Sequence, residues 1–352
     1  MFGFSIFLNE SFTDQTKYDI EAMAQNGFSG IFTSLHIPEE DTTQYRKRLI
    51  ELGAIVKREH LTLMVDISGD ALNRAGFSFE RVDELKEIGV TGLRMDYHIS
   101  NQQIAELSKV MTIALNASTI TEADIQELST AKANFNNLEA WHNYYPRPET
   151  ALDKKWYHEK NQWLKTYGFT LQGFVPGNEK LRGPLYQGLP TLEEHRHMSP
   201  LAAALDLVKD TDKIYIGDSG LSRETMKQFS SYIKDETINL RVEAFDPQIN
   251  YVLGEHINRQ DEARDVIRSA KARFNEIPVI RPLSTKKRSI GAVTIDNEKY
   301  GRYMGEIQIM KRLLTADEKV NVVGQVIKED RILIQHIKAG QKFSLESVEK
   351  ND

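Results

Sequence analysis

The feature that most constrains the fold of this chain is an alternation of short apolar runs with longer amphipathic ones, repeated eight times up to residue 233. Short, continuously apolar runs are typical of parallel strands that are buried on both faces. The predicted strands span 3–8, 30–35, 61–66, 92–97, 112–116, 137–141, 169–175 and 213–216. The predicted helices span 13–26, 42–59, 78–88, 102–110, 122–131, 153–167 and 222–233, and the longest loop follows the seventh strand.

Eight strand-and-helix units in about 235 residues match the length expected of a (β/α)8 barrel of the TIM type. The alternative is an open doubly wound sheet. No Gly-x-Gly-x-x-Gly sequence follows the first strand, so we favour the closed barrel. Functional residues of such a barrel lie at the carboxyl ends of its strands.

The pattern changes near residue 238, where short runs separated by Gly, Asn and Asp replace the strand–helix alternation. The predicted strands here are 240–245, 289–295, 306–309, 321–323 and 331–334, with one helix over 257–274. We therefore predict a (β/α)8 barrel domain over residues 1–236 and a small, mainly β domain over 237–352. The β domain is expected to be a closed or nearly closed barrel.

Composition excludes several classes of protein. The net charge of −6 argues against a nucleic-acid-binding protein that neutralises phosphates in bulk, and the lack of cysteine excludes disulfides and thiolate chemistry. The first eight residues have no basic start or cleavage site, and no apolar run approaches the ~18 residues of a membrane helix. We predict a soluble, cytoplasmic protein without a membrane partner.

The ends of the predicted barrel strands are rich in carboxylates, amides and hydroxyls and contain no lysine. They present Asn9, Glu10, Ser34, His36, Asp66, Asp70, Asp96, His98, Asn116, Ser118, His142, Asn143, Gln172 and Asp218. The lack of lysine counts against Schiff-base chemistry. The mixture suits a polyhydroxy ligand, and paired carboxylates are what glycosidic cleavage requires.

Two loops add further candidates. Residues 141–147, Trp-His-Asn-Tyr-Tyr-Pro-Arg, offer aromatic and hydrogen-bonding groups for a sugar, although their aromatic residues could equally cover the barrel mouth. In the loop after strand seven, Thr191 and Glu194 have the spacing of a capping box, which would explain Glu194 by a structural role. Glu193 has no such reason and is a catalytic candidate. Arg196 fits either an anion contact or a surface charge.

These stretches resemble the 6-phospho-N-acetylmuramidases, a family of bacterial cytoplasmic glycoside hydrolases. The resemblance is carried by the strand ends at Asp66 and Asp96, the 141–146 turn, and the 188–196 segment Gly-Leu-Pro-Thr-Leu-Glu-Glu-His-Arg. It extends to 300–306 and 321–324 and so covers both predicted domains.

The resemblance implies that the second domain is cyclophilin-like. It also implies hydrolysis of the β-1,4 bond of 6-phospho-N-acetylmuramyl-N-acetylglucosamine, a cell-wall turnover disaccharide phosphorylated on import. The products would be N-acetylmuramic acid 6-phosphate and N-acetylglucosamine. The expected partner is this phosphorylated amino-sugar disaccharide, with no cofactor, no metal and no nucleic acid. The oligomeric state and the choice among 6-phosphoglycosides stay open.

Catalytic roles follow as hypotheses. Asp66 and Asp96 end adjacent predicted strands, so their carboxyl groups can approach within one sugar ring. We expect Asp96 and Glu193 to be the catalytic pair, with Asp66 in support. Neighbouring-group attack by a 2-acetamido group, oriented by the carboxylates, is an alternative mechanism.

Other side chains are expected to bind the substrate. Polar contacts are assigned to Ser34, Asn116, His142, Asn143 and Tyr145, and contacts with the phosphate and the lactyl carboxylate to Arg147, Arg182, Arg196, Arg281 and Arg302. Arg94 lies within the fourth strand and is expected to be paired inside the barrel.

Two other functions are kept as alternatives. The first is a metal-dependent sugar-phosphate isomerase or lyase that uses Asp66, Asp96, His36 and His142, although neither of these histidines lies in a His-x-His spacing. The second is a carbohydrate-binding protein without turnover, against which the missing signal sequence counts.

Overall fold

A computed structural model describes residues 1–35, 44–68, 71–96, 99–272 and 277–348. It divides into two compact units, Met1–Met226 and Lys227–Asp352, here called the barrel unit and the β unit. The dividing point falls within the helix Arg223–Asp235. The predicted domain boundary after residue 236 follows the end of this helix and stays a prediction.

The barrel unit is built on eight parallel strands that close into a ring, as the alternation predicted. The strands are β1 (Phe2–Ser5), β2 (Gly30–Ser34), β3 (Thr62–Ile67), β4 (Gly92–Met95), β5 (Thr112–Asn116), β6 (Leu138–Trp141), β7 (Thr170–Val175) and β8 (Lys213–Ile216). Each strand pairs with its neighbour in sequence, and β8 pairs with β1. The (β/α)8 barrel is therefore confirmed.

The helices lie between the strands. They are α1 (Asp14–Gln25), α2 (Tyr45–Arg58), α3 (Ala71–Arg74), α4 (Val82–Glu87), α5 (Asn101–Ser108), α6 (Glu122–Thr130), α7 (Lys154–Thr166), α8 (Pro200–Leu207) and α9 (Arg223–Asp235). Helix α8 was not predicted, because seven of its eight residues are buried and it has no polar face to reveal the helical period. None of the helices in the described ranges is both long and apolar enough to cross a bilayer.

Large side chains fill the centre of the barrel. Phe32, Met64, Trp141, Phe174 and Tyr215 form a buried cluster with Ala114. Glycine makes room for it, since a Cβ on residue 3 would lie 2.4 Å from the Tyr215 ring. The packed interior leaves the carboxyl ends of the strands as the place for a site.

The β unit holds one seven-stranded sheet. Its strands are β9 (Ile238–Ala244), β10 (Gly254–Ile257), β11 (Val266–Arg268), β12 (Ala292–Asp296), β13 (Ile307–Met310), β14 (Val320–Val326) and β15 (Lys342–Ser347), in the order β10-β15-β9-β14-β12-β13-β11. A bridge between Asn258 and Ser269 joins the chain beyond the two edge strands. The sheet is therefore barrel-like.

Two predictions for the β unit are wrong. The helix over 257–274 is absent from its described part, where β11 pairs with β13 and buries Ile267. The strand over 331–334 lies in a 3-10 helix, Lys328–His336. Leu333 and Ile334 are buried side by side, and alternating strand burial does not produce such a pair.

Candidate active site

A cavity of about 450 Å³ lies at the carboxyl ends of the barrel strands, a size typical of small-molecule sites. It is lined by Phe32, Ser34, Asp66, Arg94, Asp96, His142, Asn143, Tyr144, Pro146, Arg147, Phe174, Arg182, Gly183, Pro184 and Leu185. All of these residues belong to the barrel unit.

One half of the cavity is carried by strands and is here called the strand half: Ser34, Asp66, Arg94 and Asp96. Ser34 on β2, Asp66 on β3 and Arg94 on β4 are direct partners in the strand register. Their side chains therefore lie side by side on one face of the sheet. The Ser34 hydroxyl donates to Asp66 Oδ2 at 2.9 Å, and Arg94 Nη1 donates to Asp66 Oδ1 at 2.6 Å.

The Arg94 guanidinium is the centre of this half. It is 3% exposed, lies 3.7 Å from Asp96 Oδ1, and donates to the Asn143 side-chain oxygen. Burial opposes its charge, but Asp66 and Asp96 outweigh burial and raise the pKa of Arg94 above its ordinary value. The sequence predicted that Arg94 is paired but did not place it in the cavity. Its spacing of two from Asp96 could have done so, because alternate strand residues share a face.

The other half of the cavity is carried by two loops and is here called the loop half: residues 143–147 after β6 and 182–185 after β7. Tyr144 belongs to the cavity-lining residues, whereas Tyr145, the tyrosine chosen from the sequence, does not. The Tyr144 ring packs against Phe174 at 5.2 Å between centroids, and its hydroxyl accepts from Arg182 Nη1 at 3.2 Å. Burial raises the pKa of Tyr144 to about 12.

The second loop is fixed by a buried carboxylate. Asp218 accepts hydrogen bonds from the backbone N–H groups of Gly177, Arg182 and Leu189, at 2.8 to 3.0 Å. The Arg182 guanidinium lies 3.5 Å from the centroid of the Phe7 ring. Asp218 therefore shapes the loop, while Arg182 faces the cavity.

Glu193 has a structural role that the sequence did not reveal. Arg196 donates to both of its carboxylate oxygens, at 2.6 and 2.7 Å, and the Ala151 N–H donates at 3.0 Å. The Arg196 hydrogen bonds lower the pKa of Glu193 to about 2. An acid with this pKa is ionised at neutral pH and holds no proton to donate.

The predicted capping box of Thr191 and Glu194 is wrong. The Thr191 hydroxyl accepts from the Phe174 N–H and donates to the Asn143 carbonyl, both at 2.8 Å. The residue that precedes the 3-10 helix Glu193–His195 is Leu192. Glu194 forms an ion pair with Lys154 at 3.0 Å.

Two other predicted binding residues have their polar atoms engaged within the fold. His142 lines the cavity, but its ring nitrogens contact Asn161 at 2.8 Å and Ser118 at 3.4 Å, and burial lowers the pKa of His142 to about 4. Asn116 accepts from the Ser118 N–H at 3.1 Å and is not among the described lining residues.

The remaining predicted residues lie elsewhere or outside the described ranges. Arg281 and Arg302 belong to the β unit, where Arg281 is 3.5 Å from Glu298 and Arg302 donates to the Tyr303 hydroxyl at 2.9 Å. His36, Asp70 and His98 fall outside the described residues.

One group of described residues has metal-ligand geometry, namely Glu194, His195 and Asp206. It already contains a cation, because Lys154 Nζ lies 3.0 Å from Glu194 and 2.5 Å from Asp206. This group is separate from the described cavity lining.

Fold and site together define a (β/α)8-barrel enzyme with paired carboxylates beside an arginine at the carboxyl ends of its strands. The chain belongs to the 6-phospho-N-acetylmuramidase family: the model of the family's N-terminal part matches residues 2–231, and that of its C-terminal part matches 237–346. The protein is therefore a glycosidase. This favours the hydrolase over the isomerase or lyase and over the binding protein without turnover.

Solved structures agree in fold over the whole chain. A conserved protein of unknown function from Enterococcus faecalis is 49% identical with a TM-score of 0.92, covering 100% of this chain and 97% of that one. An uncharacterized Bacillus cereus protein is 24% identical with a TM-score of 0.76, covering 99% of each, and shows the fold alone. Among curated proteins, none matches the chain.

Proposed function

We propose that this glycosidase hydrolyses the β-1,4 bond of 6-phospho-N-acetylmuramyl-N-acetylglucosamine, releasing N-acetylmuramic acid 6-phosphate and N-acetylglucosamine. The observation that carries the proposal is the pair Asp66 and Asp96, which approach one guanidinium at 2.6 and 3.7 Å within one cavity. Glycosidic cleavage needs one carboxyl group to protonate the leaving oxygen and one to stabilise or attack the anomeric carbon.

The environments of the two acids support different roles for them. Asp66 accepts from Arg94 and from Ser34, and both contacts stabilise a carboxylate. We propose that Asp66 stabilises the positive charge that develops on the sugar ring, or that it orients the 2-acetamido group. Asp96 makes the longer contact with Arg94 and is assigned to proton transfer. In this proposal Glu193 no longer belongs to the catalytic pair.

The two arginines of the loop half are assigned to the anionic groups of the substrate. Arg147 and Arg182 both line the cavity, and a guanidinium matches phosphate or carboxylate oxygens with two parallel donors. Asn143 and Ser34 lie beside the carboxylates and are assigned to sugar contacts. For Arg281 and Arg302 of the β unit, a substrate contact stays a prediction from the sequence.

The family resemblance also supports a place for the reaction. A disaccharide phosphorylated on import is present in the cytoplasm, so we propose that the enzyme acts there, in the recycling of peptidoglycan. The β unit is proposed to be cyclophilin-like, supported by its barrel-like sheet.

The test is incubation of the purified full chain with phosphorylated and with unphosphorylated muramyl-glucosamine, followed by proton NMR of the anomeric signals. We expect cleavage of the phosphorylated disaccharide and much slower cleavage of the other. Equal rates would show that the enzyme does not select for the phosphate. Cleavage of neither disaccharide would refute the proposed substrate. The same incubation is repeated with a chelator. We expect the activity to survive, which would distinguish this hydrolysis from a metal-dependent reaction.

A further inference from the structure

We propose that Arg196, together with Glu193, is a positioning pair that fixes the two loops of the cavity wall against each other. The inference rests on the proposed function in taking this cavity as the site of the phosphorylated substrate and the loop arginines as its anion contacts. Neither residue lines the cavity among the described residues, so both would act through the loops.

The Arg196 guanidinium joins segments that are far apart in sequence. Nη1 donates to the Tyr145 carbonyl at 3.0 Å and to the Gly188 and Gln187 carbonyls at 3.2 and 3.4 Å. Nη2 donates to the Arg147 carbonyl at 3.3 Å. One side chain therefore links the backbone of the loop after β6 to the backbone of the loop after β7.

Charge and burial make this link specific to arginine. Arg196 is 5% exposed, and a buried guanidinium requires a compensating carboxylate, which Glu193 provides through two parallel hydrogen bonds. Glu193 also accepts from the Ala151 N–H and so ties down the chain that follows residue 147. Lysine keeps the charge but cannot reach four carbonyls and two carboxylate oxygens with one ammonium group.

The acids of the strand half do not depend on this pair. Asp66 lies on β3 and Asp96 directly follows β4, and strand pairing fixes both strands. The loops carry the arginines assigned to the substrate anions. Loosening the loops should therefore weaken substrate binding while leaving the chemical step of the bound substrate largely intact.

The experiment compares Arg196→Lys with wild type in the full chain. We expect KM for the phosphorylated disaccharide to rise about tenfold or more while kcat changes less than about threefold. Amide hydrogen exchange should become faster in residues 143–151 and 187–192 and stay unchanged in β3 and β4. Glu193→Gln should act in the same direction, and the two changes combined should be less than additive.

Arg241→Lys is the matched control, because Arg241 makes a similar two-fold contact with the buried Asp330 in the β unit. It should leave KM and loop exchange unchanged. Unchanged KM and unchanged loop exchange in Arg196→Lys would overturn the proposal, and so would equal acceleration of exchange in loops and strands. If Arg196→Lys does not fold, Glu193→Gln carries the same test. A wild-type chain that leaves the disaccharide uncut refutes the proposed substrate instead, and the exchange data still decide on the pair.

Discussion

The two halves of the cavity are built by different means. In the strand half, Ser34, Asp66 and Arg94 are placed by the register of three neighbouring strands. In the loop half, Tyr144 and Arg182 depend on loops held by side chains that bond to backbone groups, such as Asp218. The residues to which we assign the chemistry are thus fixed by the sheet, whereas those to which we assign recognition lie on loops, which vary more readily.

The largest expected effect comes from neutralising the acids of the strand half. Asp96→Asn and Asp66→Asn should each lower kcat by about 10²- to 10⁴-fold, because each replaces a carboxyl group that is proposed to be catalytic by an amide of the same shape. KM should change little, since binding is assigned to the loops. Steady-state kinetics on the phosphorylated disaccharide measures both, with the exposed Asp83→Asn as a control. Near-normal kcat in either variant would break the assignment of chemistry to the strands.

The next effect is the pH dependence of stability that we expect from His142, the first residue after β6. Its pKa is about 4 in the folded protein and about 6.5 when unfolded, so between these values only the unfolded chain binds the proton. Stability should therefore fall as pH falls from about 6.5 to 4, and the contribution of one such histidine at pH 4.5 is roughly 2 to 3 kcal/mol.

The comparison of wild type with His142→Gln isolates this contribution. The loss of unfolding free energy between pH 7 and about 4.5 should be smaller in the variant by that amount. Urea unfolding followed by tryptophan fluorescence suits the test, since Trp141, Trp156 and Trp163 all lie in the barrel unit. Parallel pH curves for the two proteins would show that His142 is not buried in its neutral form.

The strand half was largely predictable from sequence, and the loop half was not. The apolar runs that end near Ser34, Asp66 and Asp96 predict one shared site, because the carboxyl ends of all the parallel strands lie at the same end of the barrel. Even there, Arg94 was placed inside the barrel without a role at the site. The local sequence around a charged residue in an apolar run does not indicate which side chain it will pair with.

The loop half depends on contacts that are distant in sequence. Glu193 looked free of structural duties because its partners include the carbonyl-binding Arg196 and the Ala151 N–H. Tyr144 and Tyr145 are neighbours with the same chemistry, and only the path of the loop decides which one faces the cavity. The wrong helix over 257–274 has a similar cause, since pairing of β11 with β13 overrides local propensity.

A smaller effect is expected from the arginines of the loop half. Arg182→Gln should raise KM for the phosphorylated disaccharide by about ten- to a hundredfold and leave kcat nearly unchanged, because a contact with an anion is lost in ground state and transition state alike. Arg147→Gln should act in the same direction. The surface variant Arg81→Gln, from an exposed ion pair with Glu84, is the control. A loss of kcat in place of affinity would assign the loop arginines to chemistry and weaken the contrast between the halves.

The smallest effect should separate the two adjacent tyrosines. Tyr144→Phe removes the hydroxyl that accepts from Arg182 but keeps the ring packed on Phe174, so KM should rise less than about threefold. Because the pKa of Tyr144 is about 12, its hydroxyl stays protonated at working pH, and the pH–rate profile should keep its shape. Tyr145 lies outside the cavity lining, so Tyr145→Phe should change neither KM nor the pH–rate profile. A fall in kcat of more than about tenfold in Tyr144→Phe alone would make this hydroxyl a participant in the reaction, and the loop half would then share the chemistry that is here assigned to the strands.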